Sequence, residues 1–253
     1  MPSDPRATPV GSLARMCNAA GPCLVVAIVS GSRVLVRACL AAALLVCAIL
    51  LPLRFVDPPT SMLMLSQRLA GVPVRQQWSP IARISPNLVR AVIAAEDTQF
   101  CGHRGIDFRE LEAALEKAER TGDDQVRGAS TISMQVAKNL FLWPGRSLAR
   151  KGLELVLAPS LDLLWPKPRT LEIYLNIAEW APGVYGAEAA ARHHFRKPAA
   201  RLTLSEAALL AAVLPNPAER SAGRPSEGVR RIARIVEARA SSPAMRFGCV
   251  LTG

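Results

Sequence analysis

The residues able to do chemistry fall in three runs. The first is Glu96-Asp-Thr-Gln-Phe-Cys-Gly-His-Arg-Gly105, the second Gly128-Ala-Ser-Thr-Ile-Ser-Met-Gln-Val-Ala-Lys-Asn139, and the third Arg146-Ser-Leu-Ala-Arg-Lys-Gly-Leu-Glu154. Glu96 and Asp97 are expected at the C-terminal end of a helix, where the dipole disfavours negative charge. Their placement there needs a reason other than helix stability, and a raised carboxylate pKa would suit a general base. Two acids on separate helices, a polar segment between them and arginines nearby are the parts needed to move a sugar off a phosphate leaving group. Singly, each has a plainer explanation. A Glu-Asp pair can be a solvated helix end, Lys138 a surface lysine, and Glu154 half of an i, i+4 pair with Arg150 worth only about 0.3–0.5 kcal/mol.

Helices must carry these groups. Ser85-Pro86 reads as an N-cap and first-turn proline, and Leu88, Val89, Val92 and Ala95 mark the buried stripe of the helix that delivers Glu96. Asp107 with Glu110 reads as a capping box for a second helix reaching about Arg120. The polar, glycine-flanked segment 121–129 is predicted to be a mobile flap. A helix from Thr131 to Leu142 places Ile132, Val136 and Leu140 on one face and Thr131, Gln135 and Lys138 on another. The next helix starts at Ser147 and is expected to kink at Pro159, and one near Thr170 is apolar on more than one side and therefore central. Thr203 and Glu206 form a second capping box. Residues 61–80 read as an irregular lead-in, and the helix near 228–240 as peripheral.

Half of the 253 residues are hydrophobic but only 5% are aromatic, which predicts a mainly α protein with little sheet. A net charge of +11 predicts attraction to nucleic acid, a phospholipid surface or a phosphorylated substrate. The apolar run Val34–Leu53 narrows that choice, because as a helix it spans roughly 30 Å, the thickness of a bilayer core. No small-x-small cleavage site follows it, so it reads as an uncleaved anchor. Arg6, Arg15, Arg33 and Arg37 against Asp4 place the N-terminus in the cytoplasm and the remainder outside, which argues against nucleic acid as a partner. Cys101 and Cys249 then share the far side, but they are not expected to pair. No cysteines have zinc-ligand spacing, and His193 and His194 read as surface residues.

Taken together, the runs resemble the family 51 glycosyltransferases that polymerise peptidoglycan. The likeness covers Trp78 to Pro217 in five ordered segments: Glu96-Asp97-x-x-Phe100-x-x-His103-x-Gly105; Gly128 to Asn139; Arg150-Lys151-x-x-Glu154; Lys167 with Leu171-Glu172-x-Tyr174-Leu175-Asn176; and Gly183-x-x-Gly186-x-x-Ala189-Ala190. It implies a lysozyme-like helical domain behind a single transmembrane helix. The expected divisions are a cytoplasmic leader over 1–33, an anchor over 34–53, a linker and lead-in over 54–80, the catalytic domain over 81–220 and a basic tail over 221–253. The implied reaction is strand elongation from lipid II, an inverting transfer of a lipid-pyrophosphate-linked glycan to the 4-hydroxyl of the incoming disaccharide.

In that reading Glu96 is the base and Glu154 the second essential acid, which either orients the donor or holds a divalent cation. Lys138 and Arg146 match phosphate-binding positions, Arg150 and Lys151 join them in binding substrate, and Ser130, Thr131, Gln135 and Asn139 would line the sugar sites. The resemblance implies Mg2+ or Mn2+ and no organic cofactor. It places the enzyme at a bacterial inner membrane with its catalytic domain in the periplasm, its partners being lipid II, the growing strand, membrane lipids and division or elongation proteins. Phe141, Leu142 and Trp143 are expected to dip into the bilayer. Ser-x-x-Lys and Lys-Thr-Gly are both missing from the sequence, so no serine transpeptidase apparatus is expected. Met134 stands where the family's commoner pattern has glutamine, and His194-Phe195 where it has Tyr-Phe. Two rival readings are a lytic transglycosylase or muramidase on the same fold and a non-catalytic scaffold of the division or elongation machinery. The basic second and third segments disfavour the first, and the intact Glu96 and Glu154 the second.

Overall fold

The computed structural model describes residues 17–122, 128–145 and 147–251, with side chains from residue 33 onward. The described residues divide into two units, one up to Ile49 and one from Leu50 onward. Helix α1 (Cys17–Leu53) carries the apolar stretch Arg33–Leu53, long and apolar enough to cross a membrane, with its side chains largely exposed. Against the expectation of an irregular lead-in over 61–80, that region holds helix α2 (Met62–Leu69), capped by Ser61, and the short strand β1 (Arg75–Gln76).

The globular unit is built around α3 (Pro86–Glu96). Ser85 caps it by accepting from the Asn87 amide, and Leu88, Val89, Ala91, Val92, Ile93 and Ala94 are buried around its circumference. A helix apolar on every side must be covered on every side. Helices α9 (Leu204–Val213) and α10 (Glu227–Ala240) pack against it, and α9 has the same all-round burial. A second group comprises α5 (Ile132–Phe141), α6 (Leu148–Leu164) and α7 (Lys167–Ile177), with α2 against α5. Helix α4 (Phe108–Thr121) starts from Asp107, whose carboxylate accepts from the Arg109 and Glu110 amides. Helix α6 runs through Pro159 to Leu164.

Among the described residues, sheet is confined to β1, β2 (Glu179–Ala181) and β3 (Val184–Tyr185), in the order β1-β3-β2, with β1 parallel and β2 antiparallel to β3. Gly183, at φ +72°, turns the hairpin where a Cβ would collide with the Pro73 carbonyl oxygen. Gly186 then leads into α8 (Ala187–Phe195). Asn176 ties the sheet region to α7, its Oδ1 accepting from the Ser79 amide at 2.8 Å and its Nδ2 donating to the Ser79 carbonyl at 2.9 Å.

Two expectations about the C-terminal region are overturned. Helix α10 is not peripheral: Val229, Ala233, Val236 and Ala240 form a buried stripe at helical spacing against α3 and α9. Beyond it, Cys249 forms a disulfide with Cys101, the Cα atoms 5.6 Å apart. Sequence spacing could not reveal this pairing, because it depends on α10 returning the chain to the turn that follows α3.

Candidate active site

Glu96 is the last residue of α3, and Asp97 is its C-cap. The two neighbouring acids serve different ends. Asp97 is buried, with both carboxylate oxygens 2.9–3.0 Å from His103 Nε2, and its Oδ2 accepts from the Ile132 amide at 2.9 Å. It therefore clamps the turn to the N-terminus of α5, where the helix dipole favours a negative charge. The turn is packed from below by Phe100, fully buried, with Lys167 Nζ 4.6 Å from its ring centroid and donating to the His103 carbonyl at 2.8 Å. Gly105, at φ +85°, lies so close to α6 that a Cβ would come within 2.5 Å of the Ala158 carbonyl oxygen.

Glu96 is held differently. Its Oε2 accepts from Gln135 Nε2 at 2.8 Å, and Gln135 Oε1 accepts from the buried Tyr174 hydroxyl at 3.2 Å. Burial pushes the Glu96 carboxyl above its ordinary value, outweighing the opposing effects of the Gln135 bond and the Lys138 charge. The relay fixes the orientation of the carboxylate while Oε1 makes no described hydrogen bond. Glu96 opens on a cavity of about 450 Å³ lined also by Thr98, Glu110, Ser130, Arg239 and Met245.

Basic side chains gather around the second acid. Glu154, 3% exposed, lies 2.9 Å from Lys151 Nζ through Oε2 and 3.2 Å from Arg150 Nε through Oε1. The Arg150 contact is close but not aligned as a hydrogen bond, so it is an electrostatic contact without a directional bond. Lys151 Nζ also donates to Ser130 Oγ at 3.2 Å. Burial lowers the Lys138 pKa; the Glu154 charge opposes that shift, and the charges of Arg150 and Lys151 reinforce it. Lys138, Asn139 and Arg150 line a second cavity of about 360 Å³ with Leu63 and Trp143. Three cations around one carboxylate suit an anionic group.

The structure thus brings Glu96, Gln135 and Ser130 to the first cavity or its edge, and Lys138, Asn139, Arg150, Lys151 and Glu154 to the cationic cluster. Arg146 lies outside the described residues, as does much of the segment expected to be a flap. Thr131 is buried: its hydroxyl donates to the Gly105 carbonyl at 2.6 Å and accepts from the Met134 amide as the N-cap of α5. Met134 is buried with Ile106 and Ala158, an apolar role that suits its side chain. Leu142, expected at the bilayer, is buried instead, while Trp143 is 46% exposed. Among the described residues no three His, Cys, Asp or Glu side chains gather to hold a metal ion. Glu154, with its oxygens facing Arg150 and Lys151, does not fit a resident cation.

Tyr174, Arg239 and Met245 were not expected at the site. Tyr174 was visible only as a member of a resembling segment, and no local signal marks the other two.

The chain belongs to the transglycosylase family: the family profile described as Transglycosylase matches residues 64–240. That span begins at α2 and ends with α10, wider than the 81–220 expected from the motifs alone. The chain is similar to the biosynthetic peptidoglycan transglycosylase of Brucella suis, 48% identical over 223 residues that cover 87% of this chain and 99% of the relative. Proteins of the same name from Rhodospirillum centenum and Agrobacterium fabrum are 52% and 50% identical over 198 and 193 residues, covering 85% and 84% of those relatives. The mainly helical, lysozyme-like fold and the enzyme class expected from the motifs are those of this family, and the chain is a glycosyltransferase.

Proposed function

We propose that this enzyme polymerises peptidoglycan glycan strands from lipid II. The observation that carries the reading is the half-buried Glu96 carboxylate, held by Gln135 at the edge of a cavity, with the Lys138, Arg150 and Lys151 cluster nearby. The names of the relatives supply the substrate class. Glu96 takes the proton from the 4-hydroxyl of the incoming disaccharide as that oxygen bonds to C1 of the donor sugar. The bond from C1 to the pyrophosphate oxygen breaks, and attack from the opposite face inverts the anomeric centre. Lys138 and Arg150, joined by Arg146, stabilise the charge that builds on the departing lipid pyrophosphate. Glu154 holds Arg150 and Lys151 in position for that anion. Ser130, Gln135 and Asn139 bind sugar hydroxyls, and Thr131 supports them by capping α5.

A divalent cation, Mg2+ or Mn2+, belongs in this reading as the counter-ion that the pyrophosphate carries in, because Glu154 is already opposed by cations. No organic cofactor is invoked. The stretch Arg33–Leu53 supports a single-pass anchor in the bacterial inner membrane with the globular unit in the periplasm. Membrane lipids and proteins of division or elongation are the proposed neighbours. Lacking Ser-x-x-Lys and Lys-Thr-Gly, the enzyme does not cross-link peptides.

The deciding experiment incubates the full chain in detergent with labelled lipid II and a divalent cation, with Glu96→Gln in parallel. Lysozyme-sensitive polymer from the parent and none from the variant is the expected result. Release of fragments from isolated cell wall without any polymer would replace this reading with a lytic one.

A further inference from the structure

The segment from Ser221 onward lies beyond every motif that suggested the activity, yet it supplies one side of the cavity on which Glu96 opens. Arg239, in the last turn of α10, and Met245, just beyond that helix, both line it. Three further contacts fasten the segment there. The buried stripe of α10 packs on α3, the Arg90 guanidinium of α3 sits 5.9 Å from the Phe247 ring centroid, and Cys249 is bonded to Cys101. Cys101 lies five residues after Glu96, in the turn that Asp97, His103 and Lys167 hold rigid. The bond therefore joins the cavity's C-terminal wall to the element that positions the base.

Arg239 is the one cation among the described residues lining this cavity, and among those residues no carboxylate pairs with it. The acids around it are largely committed. Asp97 is bound to His103 and Ile132, Asp107 caps α4, and burial raises the Glu96 pKa; Glu110 is exposed at the rim. The proposed function assigns the Lys138 cluster to the departing pyrophosphate of the donor. The incoming lipid-linked disaccharide peptide carries anions of its own, on its pyrophosphate and on its peptide carboxylates.

We propose that Arg239 is a substrate-binding residue for an anionic group of the incoming lipid II, and that the Cys101–Cys249 disulfide holds it at the cavity. The inference rests on the polymerase reading above. It assigns the C-terminal segment a share of the substrate site in addition to its packing role.

The test is steady-state polymerisation of lipid II by the full chain carrying Arg239→Ala or Arg239→Lys. Losing a charge-assisted hydrogen bond is expected to raise KM about tenfold for Arg239→Ala, with kcat within about threefold and the melting temperature unchanged. Arg239→Lys is expected to recover much of that loss. Repeating the series with lipid II whose peptide carboxylates are amidated identifies the anion. If the carboxylates are the ligand, the tenfold difference between parent and variant disappears; if the pyrophosphate is, it persists. Unchanged KM in Arg239→Ala overturns the proposal. The role of the disulfide is read from Cys101→Ala/Cys249→Ala with and without Arg239→Ala. If the bond acts through Arg239, the triple variant has no higher KM than the double, whereas independent, multiplying effects overturn that part. Failure of the parent to make polymer would sink the polymerase reading itself, a result distinct from an active parent indifferent to Arg239.

Discussion

At Glu96 and Asp97, two adjacent carboxylates take different environments from a single turn. Asp97 is buried with three hydrogen-bonding contacts and a helix N-terminus, whereas Glu96 is half-buried with one described hydrogen bond. A group whose folded pKa lies above its unfolded one makes the folded state less stable as pH rises between the two, because the folded form then binds more protons. That penalty is complete above the folded pKa of Glu96. Glu96→Gln should therefore melt no lower than the parent at pH 7, and higher if the carboxylate is charged there, while losing at least about a hundredfold in polymerisation. A fall in both melting temperature and activity would indicate a structural role instead. The same shifts set the pH profile. Activity should rise with pH through a value above the ordinary carboxylate range as Glu96 deprotonates, and decline at alkaline pH below the ordinary lysine value as Lys138 loses its charge. Lys138→Arg should move the alkaline limb upward and leave the acid limb in place, as initial rates across pH would report.

The elements explain why these residues stay where they are. The turn between α3 and α4 is held by a close backbone approach at Gly105, where positive φ and the Ala158 carbonyl both exclude a side chain. Gly105→Ala should destabilise the fold by at least about 2 kcal/mol and lower activity with it, measured by denaturant unfolding. Conformation and overpacking act in the same direction there. By contrast, Gly122, also at positive φ, has no atom of the described residues within 4 Å of its Cβ position, and alanine there should cost only about 1 kcal/mol. The α3 cap is a comparable small contribution. Ser85 both caps the helix and donates to the Leu202 carbonyl at 2.9 Å, so Ser85→Ala should cost about 1–2 kcal/mol without touching the chemistry.

For the whole molecule, the +11 charge, the apolar stretch Arg33–Leu53 and the exposed Trp143 are consistent with work at an anionic lipid surface. Trp143→Ala should weaken binding to liposomes and lipid II; equal binding by the variant would remove Trp143 from the membrane contact. A fluorescent penicillin should leave the protein unlabelled, since the serine motifs of a transpeptidase are missing. The helical class, the apolar stretch and the family were legible in the sequence, because helix caps, hydrophobic periodicity and motif runs are local patterns. The sequence could not separate the tasks of Glu96 and Asp97, bury Leu142 or show that Thr131 turns inward, since each depends on which helix comes to lie alongside. The largest difference concerns the basic tail over 221–253, whose helix near 228–240 reads from sequence as peripheral. Packing gives it another place: only when α10 folds back on α3 do Cys249 and Cys101 meet, and only then does Arg239 line the cavity that Glu96 also lines.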